Sequence, residues 1–182
     1  SYDHLRWRIN NSLLLSAKNK YFGWQLNVGQ NYRESAVWTS LTKNENNTTS
    51  LLSTTEADRF GRTNFAKSAL TFYIGNDRLL FNYDVNYSNN NSNTLGNGPG
   101  FSTNDDSFTD ALRQDFVVTF QKKFEDKSKK LDFRFNYNSN QNDFILNSRN
   151  SNATILDNAS TQQLYNAKVD YSQPIAFSDE GK

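Results

Sequence analysis

Residues 114–140, QDFVVTFQKKFEDKSKKLDFRFNYNSN, contain the clearest structural signal in the chain. Four apolar residues alternate with polar or charged ones in the second half of this stretch: Leu131, Phe133, Phe135 and Tyr137. Successive side chains of a β-strand point to opposite faces, so this half predicts a strand with one aromatic face and one polar face. The first half predicts a second strand, and the short charged segment 125–130 predicts the turn between them. The whole stretch therefore predicts a β-hairpin.

The same unit recurs along the chain. Other alternating segments occupy residues 5–15, 22–28, 70–74, 79–87 and 164–171. Short turns, predicted at residues 16–20, 75–78 and 125–130, are separated by long stretches rich in Asn, Ser and Thr. We interpret these stretches, at residues 43–55, 88–107 and 140–160, as polar loops. The pattern predicts an all-β, antiparallel up-and-down meander of about seven or eight strands, with short turns at one end and long loops at the other.

Composition favours a sheet with one apolar face over a compact soluble core. Only 35% of the 182 residues are hydrophobic, 14% are aromatic, and the mean hydropathy is −0.83. A net charge of +1 gives no reason to expect nucleic-acid binding. No run approaches the roughly 20 apolar residues of a membrane helix. The sequence has no cysteine, which excludes disulfides and thiolate metal sites.

The order of strands, turns and loops is typical of transmembrane β-barrels, which have short turns on one side of the membrane and long loops on the other. Alternating segments of about 9–11 residues are long enough for a tilted strand to cross the hydrocarbon layer. Aromatic residues at strand ends are candidates for the girdles at the two membrane interfaces: Tyr21, Phe22, Trp24, Phe124, Tyr137 and Tyr171. A soluble antiparallel sandwich is the alternative, because its strands also alternate.

A sheet in lipid has to close, because every backbone polar group needs a partner there. Seven complete strands with an eighth missing do not make a closed barrel of the usual even-numbered kind. We therefore expect residues 1–182 to be part of one β-barrel domain, a segment of a larger outer-membrane barrel.

One segment resembles a known family. Residues 164–175, LYNAKVDYSQPI, end a strand in Asp170 and Tyr171, followed by Pro174. This segment resembles the barrel strands of Bacteroidetes-type TonB-dependent receptors, in which such a strand precedes a periplasmic turn. The loops rich in Asn and Ser, and strands such as residues 79–87, are similar in style. The family's plug domain, TonB-contacting box and barrel C-terminus are absent from this sequence.

The resemblance implies a plugged outer-membrane barrel of about 22 strands that imports a nutrient ligand with energy from the inner membrane. It implies a location in the bacterial outer membrane. The implied partners are outer-membrane lipid, the remainder of the barrel, a plug domain, the TonB system and a surface lipoprotein; no nucleic acid is expected.

The two faces of the predicted strands differ in their expected surroundings. In a barrel the aromatic face contacts lipid, and we expect there Phe72, Phe81, Tyr83, Val118, Phe133, Phe135 and Val169. The opposite face would line the lumen, with candidates Asn82, Asp84, Asn86, Asp132, Arg134, Asn136, Asn166, Lys168 and Asp170. Mixed charges of this kind are typical of a wall that contacts a plug or a wetted channel. We expect ligand contacts in the wider extracellular regions 33–65, 88–107 and 140–160, where three aromatic residues are candidates for stacking on a ligand: Trp38, Phe60 and Phe101.

The sequence contains no recognisable catalytic constellation. His4 is its one histidine and is most simply a surface group; without a second histidine or any cysteine, a Ser-His-Asp triad or a zinc site has little to build on. Asp105 and Asp106 offer oxygen ligands for calcium, but their spacing is not that of an EF-hand loop. We expect no enzyme activity, no catalytic residue, no metal and no cofactor. Three functions stay open: the wall of a TonB-dependent importer, a structural or adhesive outer-membrane barrel, and a soluble β-sheet carbohydrate-binding module.

Overall fold

The computed structural model describes residues 2–45, 48–125, 129–150 and 153–173. These residues form a single sheet of seven strands in chain order, each antiparallel to its sequence neighbours. The strands are β1 (Tyr2–Lys18), β2 (Phe22–Glu45), β3 (Thr48–Ile74), β4 (Asp77–Gly98), β5 (Phe101–Lys123), β6 (Lys130–Arg149) and β7 (Ala153–Ser172). The described residues contain no helix. The predicted all-β up-and-down meander is therefore confirmed.

The long polar loops predicted at residues 43–55, 88–107 and 140–160 are wrong. Most of these residues continue the strands, so that β3 reaches 27 residues and β4 and β5 are joined by Pro99 and Gly100 alone. Polar side chains support the pairing across strands: Asn89 Nδ2 donates to Asp110 Oδ1 at 2.5 Å, and Asn93 Nδ2 donates to Asp106 Oδ1 at 2.6 Å. A strand that is wetted on both faces needs no apolar alternation, which is why its composition resembles that of a loop.

The ligand-loop candidates are corrected in the same way. Trp38 lies within β2 and Phe60 within β3, while Phe101 is the first residue of β5. None of the three is on a loop. At the end with the short turns the strands stop close to their alternating apolar residues. At the other end the paired strands continue well past those residues.

The short turns at the other end are confirmed where the structure describes them. Gly75 and Asn76 join β3 to β4, and Gly75 has a φ of 63°, which two-residue hairpin turns require and glycine adopts readily. Between β1 and β2, the Asn19 side-chain oxygen accepts hydrogen bonds from the backbone N–H groups of Tyr21 and Phe22 at 2.8 and 2.7 Å. In the β5–β6 connection residues 126–128 lie outside the described residues, as do Pro174 and residues 178–182.

Cross-strand pairing divides the sheet into the two faces that were predicted. Residues that pair across strands share a face, and one row of partners crosses the whole sheet: Leu15, Leu26, Ser68, Tyr83, Phe116, Tyr137 and Tyr165. We use this line as the reference row and call its side the aromatic face. All the residues predicted to contact lipid lie on that face, and all the lumen candidates lie on the opposite one, the polar face.

The aromatic face is uncovered in the part of the chain that the structure describes. Among the described residues the one buried hydrophobic residue is Ala57, 4% exposed, and it lies on the polar face, whereas Phe133 is 37% and Val169 64% exposed. β1 and β7 form the two edges of the sheet, so it is not closed. The described residues therefore contain neither a second layer nor the core of a sandwich.

Candidate functional site

The apolar residues of the aromatic face are concentrated in a band near the short turns, which polar residues such as Asn11 and Ser68 interrupt. On β4 the band runs from Leu79 to Tyr87, and polar residues follow from Asn89 onward. Nine strand residues cover about 27 Å along the strand, or about 21 Å in height if the strand is tilted by about 40°. That height is close to the roughly 25 Å apolar band of outer-membrane barrels.

The band crosses the sheet obliquely. We call the direction away from the short turns upward. On β1 the upper edge of the band is Trp7, eight residues from Leu15 of the reference row, whereas on β7 the upper edge is Tyr165, which belongs to that row. Its lower edge moves the same way, from Ala17 on β1 to Tyr171 on β7, respectively two and six residues below the row. Averaged over its two edges, the band shifts by about one residue, or ~3.4 Å, at each strand-to-strand step of ~4.8 Å. This shift corresponds to strands tilted by about 35°. A horizontal apolar layer would produce this shift on strands tilted by the 35–45° that is usual for membrane barrels.

Aromatic side chains mark both edges of the band. At the upper edge, the Tyr137 and Tyr165 rings lie 5.0 Å apart between centroids. At the lower edge the rings of Phe124 and Tyr171 are 6.4 Å apart. Tyrosine has an apolar ring and a polar tip, which suits it to a boundary between apolar and wet surroundings. The interfacial role of these residues stays a prediction.

The lumen candidates lie on the polar face, in the half of the sheet near the short turns that also holds the apolar band. Asp132 pairs across strands with Asp170, and Arg134 pairs with Lys168. Lys168 Nζ lies 2.8 Å from Asp170 Oδ2. Arg134 Nε donates to Asn136 Oδ1 at 2.9 Å. The basic side chains here are therefore held by acceptors of the sheet itself.

A second set of polar contacts continues this wall across the middle strands. Lys67 Nζ lies 3.8 Å from Asp84 Oδ2. Asp115 accepts a hydrogen bond from Arg113 Nε at 2.8 Å and another from the side-chain amide of Asn138. Exposed pairs of this kind contribute little to stability individually, but together they set the polarity of the face.

The three aromatic ligand candidates are not brought together. Trp38 and Phe60 lie on the aromatic face beyond the band, where the Phe60 ring packs edge-on against Tyr32 at 5.2 Å. Phe101 lies on the polar face at the far end of β5, next to Gly98. These positions do not form a shared stacking surface.

Sequence reasoning missed a groove on the polar face at β1–β3. It has a volume of about 560 Å³, and three arginines line it: Arg8, Arg33 and Arg59. Each arginine occupies a position that alternation assigns to the polar face, so a signal existed in the sequence. Their convergence depends on strand register, which local patterns do not determine.

Tyr32 lies on the aromatic face, opposite the groove, and its hydroxyl donates a hydrogen bond to Glu34 Oε2 at 3.1 Å.

Neither a metal cluster nor a membrane-spanning helix is found in the described ranges. Residues 2–45, 48–125, 129–150 and 153–173 contain no group of three or more His, Cys, Asp or Glu side chains able to hold a metal ion. The same residues contain no helix long and apolar enough to span a membrane. No family model matches the chain, and no curated protein matches it. The resemblance to TonB-dependent receptors therefore stays a prediction.

Proposed function

We propose that this chain is part of the wall of a transmembrane β-barrel in a bacterial outer membrane. Its aromatic face contacts lipid and its polar face lines the lumen. The observation that carries the proposal is the oblique apolar band, because its height and its shift along the strands match a flat hydrocarbon layer crossed by tilted strands.

Lipid accounts for the exposure of the aromatic face. Large side chains such as Leu13 and Ile74 are 57% and 60% exposed on one face of the sheet, and a monomeric soluble protein rarely exposes a large apolar patch. Acyl chains would cover this surface without a second protein layer. The open edges at β1 and β7 would then pair with further strands, because unpaired backbone groups are costly in hydrocarbon.

The barrel of this proposal imports a ligand, as TonB-dependent receptors do, without an enzymatic step. Beyond the band the strands continue with mainly polar residues on both faces, and we assign that extension to the extracellular side. The ion-paired polar face supports contact with a plug or a wetted passage. The barrel remainder, a plug domain, the TonB system and a surface lipoprotein are the partners of this proposal.

Cysteine labelling on intact cells tests the orientation, and residues 1–182 contain no cysteine of their own that would react. Asn97→Cys, at the far end of β4, should react with a membrane-impermeant maleimide. Asn76→Cys, in a short turn, should react only after the outer membrane is permeabilised. Val169→Cys, on the aromatic face, should stay unreactive in both cases. Labelling of Asn76→Cys on intact cells, or of Val169→Cys in either state, would contradict the proposal.

Import is tested separately from orientation. A strain that lacks the protein should lose growth on at least one nutrient of a panel that its complemented parent uses. Dissipating the proton gradient of the inner membrane should abolish uptake of that nutrient by the parent. Correct labelling without any growth difference would leave a structural barrel and exclude the import role.

A further inference from the structure

We infer that the end of the sheet with the short turns binds the anionic headgroups of membrane phospholipids. In the described part of the chain, six exposed basic residues lie in these turns or at the two strand positions on either side of them. We call them the basic rim: Lys18, Lys20, Arg78, Lys122, Lys123 and Lys130. The inference rests on the proposed function, because it takes the apolar band to lie in hydrocarbon.

Acidic residues are scarce at this end of the sheet. Among the described residues of the same turns and strand positions, the acidic ones are Asp77 and Glu125. Asp77 takes part in the local backbone structure, where its Oδ1 accepts a hydrogen bond from the backbone N–H of Lys123 at 3.0 Å. The end of the sheet therefore carries an excess of positive charge, which attracts an anionic lipid surface.

Lys122 lies level with the lower edge of the apolar band. Lys122, Leu131 and Tyr171 form one row of cross-strand partners on the aromatic face. Lys122 Nζ is 5.8 Å from the centroid of the Phe124 ring, and the Phe124 and Tyr171 rings are 6.4 Å apart. A lysine has an apolar stem and a charged tip, so the stem can lie against the edge of the hydrocarbon while the ammonium group reaches the headgroups.

A similar arrangement recurs at the β1–β2 turn. Lys20 Nζ is 4.8 Å from the centroid of the Tyr21 ring, and Lys18 Nζ is 5.5 Å from that of the Tyr73 ring. Trp24 is close by, because it is the cross-strand partner of Ala17 at the lower edge of the band. Aromatic belts lie at the level of the headgroups, so ammonium groups beside these rings would meet the lipid phosphates.

The opposite edge of the band has the reverse charge. Beyond the band on β5–β7, the aromatic face carries Asp106, Asp110, Asp143 and Asp157. Arg149 is the one basic residue that the structure describes on that part of the face. Asp110 and Asp143 are direct cross-strand partners. The protein would therefore attract anionic lipid at the short turns and repel it at the other edge.

Tryptophan quenching by brominated lipids tests the inference, because the aromatic face has a tryptophan at each edge of the band. Trp24 lies at the lower edge and Trp7 at the upper edge. Protein purified from membranes, in variants that keep one of the two as the single tryptophan, is reconstituted into vesicles of equimolar phosphatidylcholine and phosphatidylglycerol. Bromine is placed on the acyl chains of one lipid or the other, so that the composition of the membrane stays the same.

Brominated phosphatidylglycerol should quench Trp24 at least about twofold more strongly than brominated phosphatidylcholine, because the basic rim enriches the anionic lipid nearby. Trp7 should show no such preference, because Arg6 beside it is shared between the carboxylates of Glu34 and Asp58. Added salt should reduce the preference at Trp24, since screening weakens the attraction between exposed charges.

Lys18→Gln combined with Lys20→Gln should remove most of the preference at Trp24. Lys67→Gln combined with Lys168→Gln is the matched control, because it removes the same charge from the polar face, where both lysines lie beside carboxylates. The control should leave the preference unchanged. Circular dichroism confirms that each variant is folded.

The outcomes separate this inference from the proposed function. Equal quenching of Trp24 by the two lipids, the same preference at Trp7 as at Trp24, or a preference that survives the loss of Lys18 and Lys20 would overturn the inference and leave the barrel. Absence of quenching at both tryptophans by either lipid would remove the barrel proposal, and the inference with it.

Discussion

Phe133→Arg places a charge in the centre of the apolar band and tests whether lipid lies against it. Phe133 is on β6, opposite Phe120 on one side and Val169 on the other, with 37% of its surface exposed. In water a partly exposed arginine at this position would be tolerated. In hydrocarbon it should lower the free energy of unfolding by about 2–4 kcal/mol, the range for Arg near the bilayer midplane on the lipid face of a barrel.

Ile145→Arg is the matched control for this substitution. Ile145 is on the same strand and the same face and is 39% exposed, but it lies twelve residues further along β6, beyond the band. An arginine there would stay in water, so the expected change is within about 0.5 kcal/mol. The difference between the two variants isolates the surroundings of the band from the general effect of introducing arginine.

The measurement is urea unfolding in phospholipid vesicles, followed by tryptophan fluorescence for the parent and both variants. A loss confined to Phe133→Arg supports a lipid-facing band. Equal losses in the two variants, or no loss in Phe133→Arg, would refute the assignment of this face to lipid. Repeating the titration in detergent micelles should preserve the order of the variants, because micelle interiors are also apolar.

The other predictions concern tryptophan depth and two glycines. In single-tryptophan variants, brominated acyl chains should quench Trp24, which lies in the band, and leave Trp38 unquenched, because Trp38 lies on the same face far beyond it; equal quenching would contradict the band. Gly29→Ala should lower stability by about 1–3 kcal/mol, because its Cβ would lie 2.4 Å from the Asn11 backbone oxygen and 2.5 Å from the Phe65 ring. Gly61→Ala should change stability by less than about 1 kcal/mol, because the nearest atom belongs to the movable Asn90 side chain, and chemical denaturation of both variants checks this contrast.

The sequence identified the strands wherever one face is apolar. Alternation is a local property with a period of two residues, so it can be read from a stretch such as residues 131–137 without knowing its partners. The same reasoning assigned Phe133 and Arg134 to opposite faces, as the pairing confirms. It failed at residues 88–107, where both faces are polar and hydrogen bonds such as that from Asn93 to Asp106 replace apolar alternation.

The amino-acid sequence by itself determined the fold class, the neighbour-to-neighbour order of the strands and the separation of aromatic from polar side chains. The tertiary structure alone decided the strand lengths, the oblique course of the apolar band and the convergence of Arg8, Arg33 and Arg59. The physical reason is that the direction of a side chain is set within its own strand, whereas register is set by pairing between distant segments. A shift of one residue in that pairing would move every side chain of a strand to the other face, and neither the band nor the groove would form.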